Sequence, residues 1–571
     1  MNQLNPSILN YKKTKLIDLG DINITNLQQY NPLYSVFFHL TESNYNNIQL
    51  NNTHQIVNLH QIIDTSNNTV KKADIFIKFS PLIDPIRYMI GKYDMSNNKI
   101  KNLPTISSNN ENCDKKLLDY NNASYVDNFF NYLSSVLVNE YQFSNGIDYY
   151  GSFLGIQSKF RMNIEDDLEY LSGSNFFLQN IGKLMTIDNF DKDLLTNNSR
   201  CNKSILILED DNIELTALDL EVIDETITKT EQNTEIQIDS IDETEQNTEI
   251  QMDSIDIATH SDSPHSDSPH SSQSSHSSHS SHSSHSSHSS QSSHSSNSSN
   301  SSNSSNSSNS SNSSISSEND AIAYINDFPV QLICLEKCEG TMDDLFINNI
   351  IDNKNGIAFL FQIVMTLVVY QKVYHFTHND LHTNNIMFQL TTKKYLYYKH
   401  NNILYKVPTY GYIFKIIDFG RSIYKYKGKI LCSDSFAIDG DGNTQYNCEP
   451  FYDKSKKRIE PNFSFDLCRL GCSIYDFILD KPSLNTKNLD SFQNIIQGWV
   501  TDDNGRNVLY KKNGSERYPG FKLYKMISRT VHKIVPEDEL NKPYFKRFKI
   551  DKKHIPLREQ IIDVDIFPIH I

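Results

Sequence analysis

The chain has 571 residues, a net charge of -16 and eight cysteines. An acidic balance argues against a general nucleic-acid or anionic-membrane binder, and so few cysteines in so long a chain exclude a disulfide framework and fit a reducing compartment. The opening Met1-Asn2-Gln3-Leu4-Asn5 lacks the basic-then-apolar pattern of a secretion signal, so a soluble intracellular protein is expected, with no membrane and no nucleic-acid partner.

In chain order, residues 1–53 are polar and aromatic without a readable period and stay unclassified. Ala73 to Phe79 alternates with β-branched and aromatic residues, as a strand does, and contains Lys78. Tyr125 to Tyr141 has helical spacing, with Phe129, Leu133, Val136 and Glu140 on one face. A carboxylate on an apolar face needs a cation, which points to Glu140 as a partner for Lys78; the alternative is a solvated residue in a fraying last turn. Asp148 to Ile156 reads as a strand, and Ser204 to Ile223 as a hairpin turning at Asp210-Asp211-Asn212.

Residues 224–320 hold a repeat, Thr230-Glu231-Gln232-Asn233 returning from Thr244, and then the Ser/His/Asn triplets of Ser261 to Ser317. Such a tract cannot bury enough apolar surface to offset an ordering cost of about 1–2 kcal/mol per residue, and is expected to be disordered. Its histidines carry no specific metal reading beyond loose affinity. Residues 321–339 resume with a strand ending at Gln331-Leu332-Ile333-Cys334-Leu335-Glu336. Ile357 to Tyr370 is almost wholly apolar and reads as a helix buried on every face, too short at this length for a bilayer, which needs roughly twenty residues. Tyr395 to Phe414, around Asn401-Asn402, reads as an extended hairpin.

The residues that point to chemistry are His378-Asn379-Asp380-Leu381-His382-Thr383-Asn384-Asn385 and, later, Asp418-Phe419-Gly420. They fit H-x-D-L-x-x-x-N followed by D-F-G. With Ile75-Phe76-Ile77-Lys78 and the helix-opening Asp466, they resemble the protein kinases, and the phrase Phe414-Lys415-Ile416-Ile417-Asp418-Phe419-Gly420-Arg421-Ser422 looks most like the uncharacterised protein kinases of giant DNA viruses.

The resemblance covers roughly residues 54–156 and 325–550. It implies an α+β, two-lobed fold, with a small β-rich lobe over 54–223 and 321–339 interrupted by the 224–320 insertion, and a helical lobe over 340–571. It implies ATP and Mg²⁺ as cofactors and a protein substrate phosphorylated on serine or threonine. By the same resemblance Asp380 is the catalytic carboxylate, Lys78 contacts the α- and β-phosphates with Glu140 as its partner, and Asn385 and Asp418 hold Mg²⁺. Glu336 and Cys338 present backbone to adenine, with Leu335 at the back of the pocket, and Asp343 or Asp344 reaches the ribose. Asp466 hydrogen-bonds the catalytic loop, and the activation segment closes either at Cys448-Glu449-Pro450, with Arg529 as an ion-pair partner, or at Glu460-Pro461.

Departures are equally legible. No glycine lies between Gly20 and Gly91, so the Gly-rich loop expected before Lys78 is missing. Asn379 stands where many kinases carry arginine. His382 stands where a lysine is usual, and its charge near neutral pH is expected to be labile. A small-molecule kinase of the aminoglycoside or choline type and a catalytically silent pseudokinase scaffold remain as alternatives.

Overall fold

The computed structural model describes residues 11–13, 19, 22–188, 321–479 and 489–570. These lie in one compact unit formed by residues 1–192 and 298–571; a second unit, 193–297, falls outside the described residues. The expected hairpin at Ser204 to Ile223, the repeat and the Ser/His/Asn tract also fall outside them. The described fold is mixed α+β, with several small sheets.

The main sheet is built on the long strand Ile322–Glu336, most of whose residues are buried. One flank pairs antiparallel with Ile75–Pro81, setting Ile333 opposite Lys78. The other pairs with Tyr149–Asn163, which in turn carries Ile24–Gln28. The unclassified N-terminal stretch therefore supplies a strand to this sheet. Met185–Asp188 adds to the early part of Ile322–Glu336. The Lys78 strand is thus the last in the order. His54–Asn58, Gln61–Asp64 and Thr69–Lys72 form a separate three-stranded sheet without a glycine. Its first turn is closed by the Asn58 side chain, which accepts from the His60 N–H at 3.0 Å, a local substitute for glycine's freedom.

Helix Ala123–Tyr141 starts at Asn122, whose side chain accepts from the Ser124 N–H, and ends on Gln142 at φ 57°. Most of its first fifteen residues are buried. Helix Gly356–Tyr374 runs 19 residues with all but Lys372 buried. It is longer than the apolar run predicts, long enough and apolar enough to cross a bilayer; its burial inside the fold, rather than its length, is the reason to read it as a core helix. The hairpin Tyr395–His400/Ile403–Pro408 turns on Asn401 and Asn402, both left-handed at φ 51° and 61°, as a type I′ turn requires. It is flanked by Lys549–Ile550 and Ile561–Asp563 from the C-terminal part of the chain.

Candidate active site

The Lys78 strand aims its ammonium at two carboxylates. Lys78 Nζ donates to Asp127 Oδ2 and Asp418 Oδ1, each at 2.8 Å. The sequence pointed to Glu140 as the helix partner, and the structure corrects this. Glu140 is exposed in the last turn, thirteen residues beyond Asp127, or about 20 Å along an α-helix. Asp127 is fully buried. Besides Lys78, it accepts from the Phe419 N–H at 2.9 Å and the Asn131 amide at 2.9 Å. A shorter carboxylate near the helix start does what a glutamate was expected to do near its end.

Burial works against the charge on Lys78, but Asp127 and Asp418 outweigh it and raise its pKa. Burial also opposes ionisation of Asp418, yet Lys78 holds that carboxyl below the usual range. Asp418 takes a left-handed backbone at φ 63°, uncommon for a residue with a side chain. Phe419 is buried against Phe130 of the Asp127 helix at 4.6 Å and against His378 at 5.8 Å between ring centroids. Apolar contact therefore joins that helix to the His378–Asn385 string.

The string itself is held from below. Asp466, buried at the start of helix Phe465–Ile478, accepts from the His378 and Asn379 N–H groups, both at 2.8 Å. The His378 ring bonds the Ile417 carbonyl through Nε2 at 2.9 Å. Asn385 donates its amide to the Asp380 carbonyl at 3.0 Å, and its own carbonyl accepts from the Ile417 N–H at 3.0 Å. The residue before Asp418 is thereby tied to Asn385. Asp380 is 7% exposed, and its Oδ1 accepts from the Tyr524 hydroxyl at 2.7 Å. Burial opposes its ionisation, but Arg421, His382 and Arg469 lower its pKa.

His382 is not the labile cation that the sequence suggests. Burial depresses its pKa to about 4 against the pull of Asp380, with Arg469 and His378 adding to the depression. It is neutral through the physiological range. The Asn379 side chain, in place of an arginine, makes neutral bonds only: its amide donates to the Thr377 and Arg421 carbonyls and its oxygen accepts from Tyr446.

At the end of Ile322–Glu336 and just beyond it, Leu335 and Cys338 are buried, and burial pushes the Cys338 thiol up to about 12. The Glu336 side chain turns inward to Lys415 Nζ at 2.6 Å, Gln389 Nε2 at 2.6 Å and the Asp148 N–H at 2.8 Å. Its own N–H already donates to the Asp148 carbonyl. Asp343 accepts from Thr383 Oγ1 at 2.6 Å, and Asp344 closes a capping box with Thr341. Arg529 donates to the Thr444 carbonyl, while Glu460 pairs with Arg458.

No family model matches the chain. Three relatives share short stretches with it. An uncharacterised protein of Invertebrate iridescent virus 6 is 34% identical over 146 residues, 24% of this chain and 21% of that protein. An Acanthamoeba polyphaga mimivirus protein with a provisional serine/threonine-protein kinase name is 33% identical over 115 residues, 19% of this chain and 28% of its own. The serine/threonine-protein kinase haspin of Mus musculus is 31% identical over 104 residues, 18% of this chain and 14% of its own. The chain thus matches well under a third of each relative's length, and the kinase names belong to two distant, partial relatives.

Two further features were not legible in the sequence. Asp434 accepts from the Ala123 N–H at 3.0 Å and pairs with Lys116 at 2.5 Å, so the stretch after Asp418 caps the start of the Asp127 helix. Arg421 pairs with Asp441, and its guanidinium carbon lies 5.7 Å from the Tyr524 ring centroid.

Proposed function

We propose that this protein is an ATP- and Mg²⁺-dependent protein kinase of two-lobed fold that phosphorylates serine or threonine hydroxyls of protein substrates. The observation that carries the reading is the convergence of three distant parts of the chain: Lys78 clamped to Asp418, Asp380 on a loop suspended from Asp466, and Asn385 joined to the peptide before Asp418. The kinase names of the two partial relatives agree with it.

Among the described residues no group of three or more His, Cys, Asp or Glu side chains could hold a metal by itself. That agrees with Mg²⁺, which is bound through one or two protein oxygens plus substrate phosphates and waters. Asp418 and the Asn385 side-chain oxygen are donors of that kind, since the Asn385 amide nitrogen is spent on the Asp380 carbonyl. Bound Mg²⁺ would supply charge neutralisation on the phosphates. Lys78 would bind phosphate oxygens, with Asp127 keeping its ammonium in place. Asp380 would orient the acceptor hydroxyl and take its proton. The long segment between Asp418 and Asp466 favours a protein acceptor over a small molecule.

The glycine-free sheet before Lys78 favours a second reading, a nucleotide-binding scaffold without turnover. One experiment separates the two: transfer of radiolabel from ATP to the protein itself and to casein, with Asp380→Asn alongside. The kinase reading expects incorporation that Asp380→Asn abolishes. A rise in melting temperature with Mg·ATP but no incorporation supports the scaffold; incorporation retained by Asp380→Asn sinks the role of Asp380.

A further inference from the structure

The Tyr524 hydroxyl donates to Oδ1 of Asp380 at 2.7 Å and accepts from Arg469 Nε at 2.9 Å. We propose that Tyr524, oriented by Arg469, is a positioning residue that fixes the Asp380 carboxylate so that its second oxygen faces the acceptor hydroxyl; this rests on the kinase reading above.

Three observations support it. The order of donors is fixed: a guanidinium can only donate, so with Arg469 donating to the phenol oxygen, the phenol's single proton is left for Asp380. Burial pushes the Tyr524 hydroxyl up to about 12, so it remains a donor at any working pH. The ring is also held rather than free. Arg469 lies 5.0 Å from its centroid, Phe521 stacks on it at 5.7 Å, and the residue is 8% exposed. Its helix, Lys522–Thr530, is tied to the segment after Asp418 by Ser528 Oγ on the Gln445 carbonyl and Arg529 on the Thr444 carbonyl. Among the described residues no hydrogen bond reaches Asp380 Oδ2. In the transfer step the acceptor O–H would point there. The proton passes to Asp380 as the new O–P bond forms, the β,γ-bridging P–O bond breaks and ADP leaves.

The charged and titratable groups facing Asp380 are Arg421, His382, Arg469 and Tyr524, with Asp418, Asp466 and His378 beyond them.

The test is Tyr524→Phe, which keeps the ring. Expected is a fall in kcat of about tenfold, with KM for ATP within about twofold. Arg469→Gln should act in the same direction, with the double variant no worse than the more impaired single one. A rise in acceptor kcat/KM in Tyr524→Phe, or phosphate found on Tyr524 by mass spectrometry, would overturn the proposal by making the tyrosine an occupant of the acceptor site. Unchanged kcat would overturn it as well. Wild-type transfer that Asp380→Asn abolishes keeps the kinase reading whatever Tyr524→Phe does. If the protein proves not to transfer phosphate, the positioning role falls together with the kinase reading.

Discussion

Replacing Asp127 by asparagine tests the corrected Lys78 partnership directly. The carboxylate accepts from the Lys78 ammonium at 2.8 Å, the Phe419 N–H at 2.9 Å and the Asn131 amide at 2.9 Å. Asparagine has nearly the same size but only one acceptor oxygen, so it must turn its NH₂ toward either Lys78 or Phe419. Hydrogen bonds to charged groups contribute roughly 1.5–3 kcal/mol each. Losing Asp127's charge also removes its repulsion with Asp418, which offsets part of the loss. The net expectation is about 3 kcal/mol, which corresponds to roughly a hundredfold in rate where the loss falls on the closed Lys78–Asp418 arrangement. The assay pairs urea unfolding with steady-state transfer kinetics, and runs Glu140→Gln beside it. Glu140→Gln should leave transfer at the wild-type value. Asp127→Asn with transfer within twofold of wild type, or Glu140→Gln showing the larger loss, would refute the assignment.

His382, neutral with its pKa lowered to about 4, binds no proton between pH 6.5 and 4 while the unfolded chain's histidine does; stability therefore falls as pH drops through that window, by about 3 kcal/mol for this group. His382→Gln should flatten that part of the melting-temperature curve, and an unchanged slope would count against the buried neutral ring. Asp434 already caps the Asp127 helix and pairs with Lys116, so phosphatase treatment should leave transfer unchanged, whereas Asp434→Ala should lower it and cost about 1–2 kcal/mol of stability in a denaturant titration. Lys415→Met leaves the inward-facing Glu336 carboxylate with Gln389 and the Asp148 N–H but no cation, and should destabilise by roughly 1.5–3 kcal/mol, with Glu336→Gln added to it recovering part of the loss; equal unfolding midpoints for wild type and Lys415→Met would show that the pair is dispensable.

What could be read from the sequence was what sits within one short stretch of chain. The Asp380–Asn385 spacing and the D-F-G triplet are local strings, and the Asn401-Asn402 turn follows from a backbone preference of those two residues. The Lys78 partner was misplaced because helical periodicity singled out the helix's only glutamate. The better signal was present: Asp127, Asn128 and Asn131 interrupt an apolar helix, and buried polar groups in such a place require partners. Tyr524 carried no local signal, since it meets Asp380 across 144 residues. The Glu336 side chain was equally unreadable, because its direction is set by a lysine 79 residues away.

The Asp127 helix is fastened along its length. Asp434 holds its first turn, the Tyr424 hydroxyl bonds the Val126 carbonyl, and Ser134 and the Leu133 carbonyl meet Tyr370 and Tyr374 of the buried helix. For inhibitor chemistry this has a practical meaning. A compound that required this helix to move outward would first have to break all of these bonds and the Lys78–Asp127 pair. Selectivity at this site is better sought from the glycine-free sheet and the inward-turned Glu336, which Lys415, Gln389 and the Asp148 N–H hold in position.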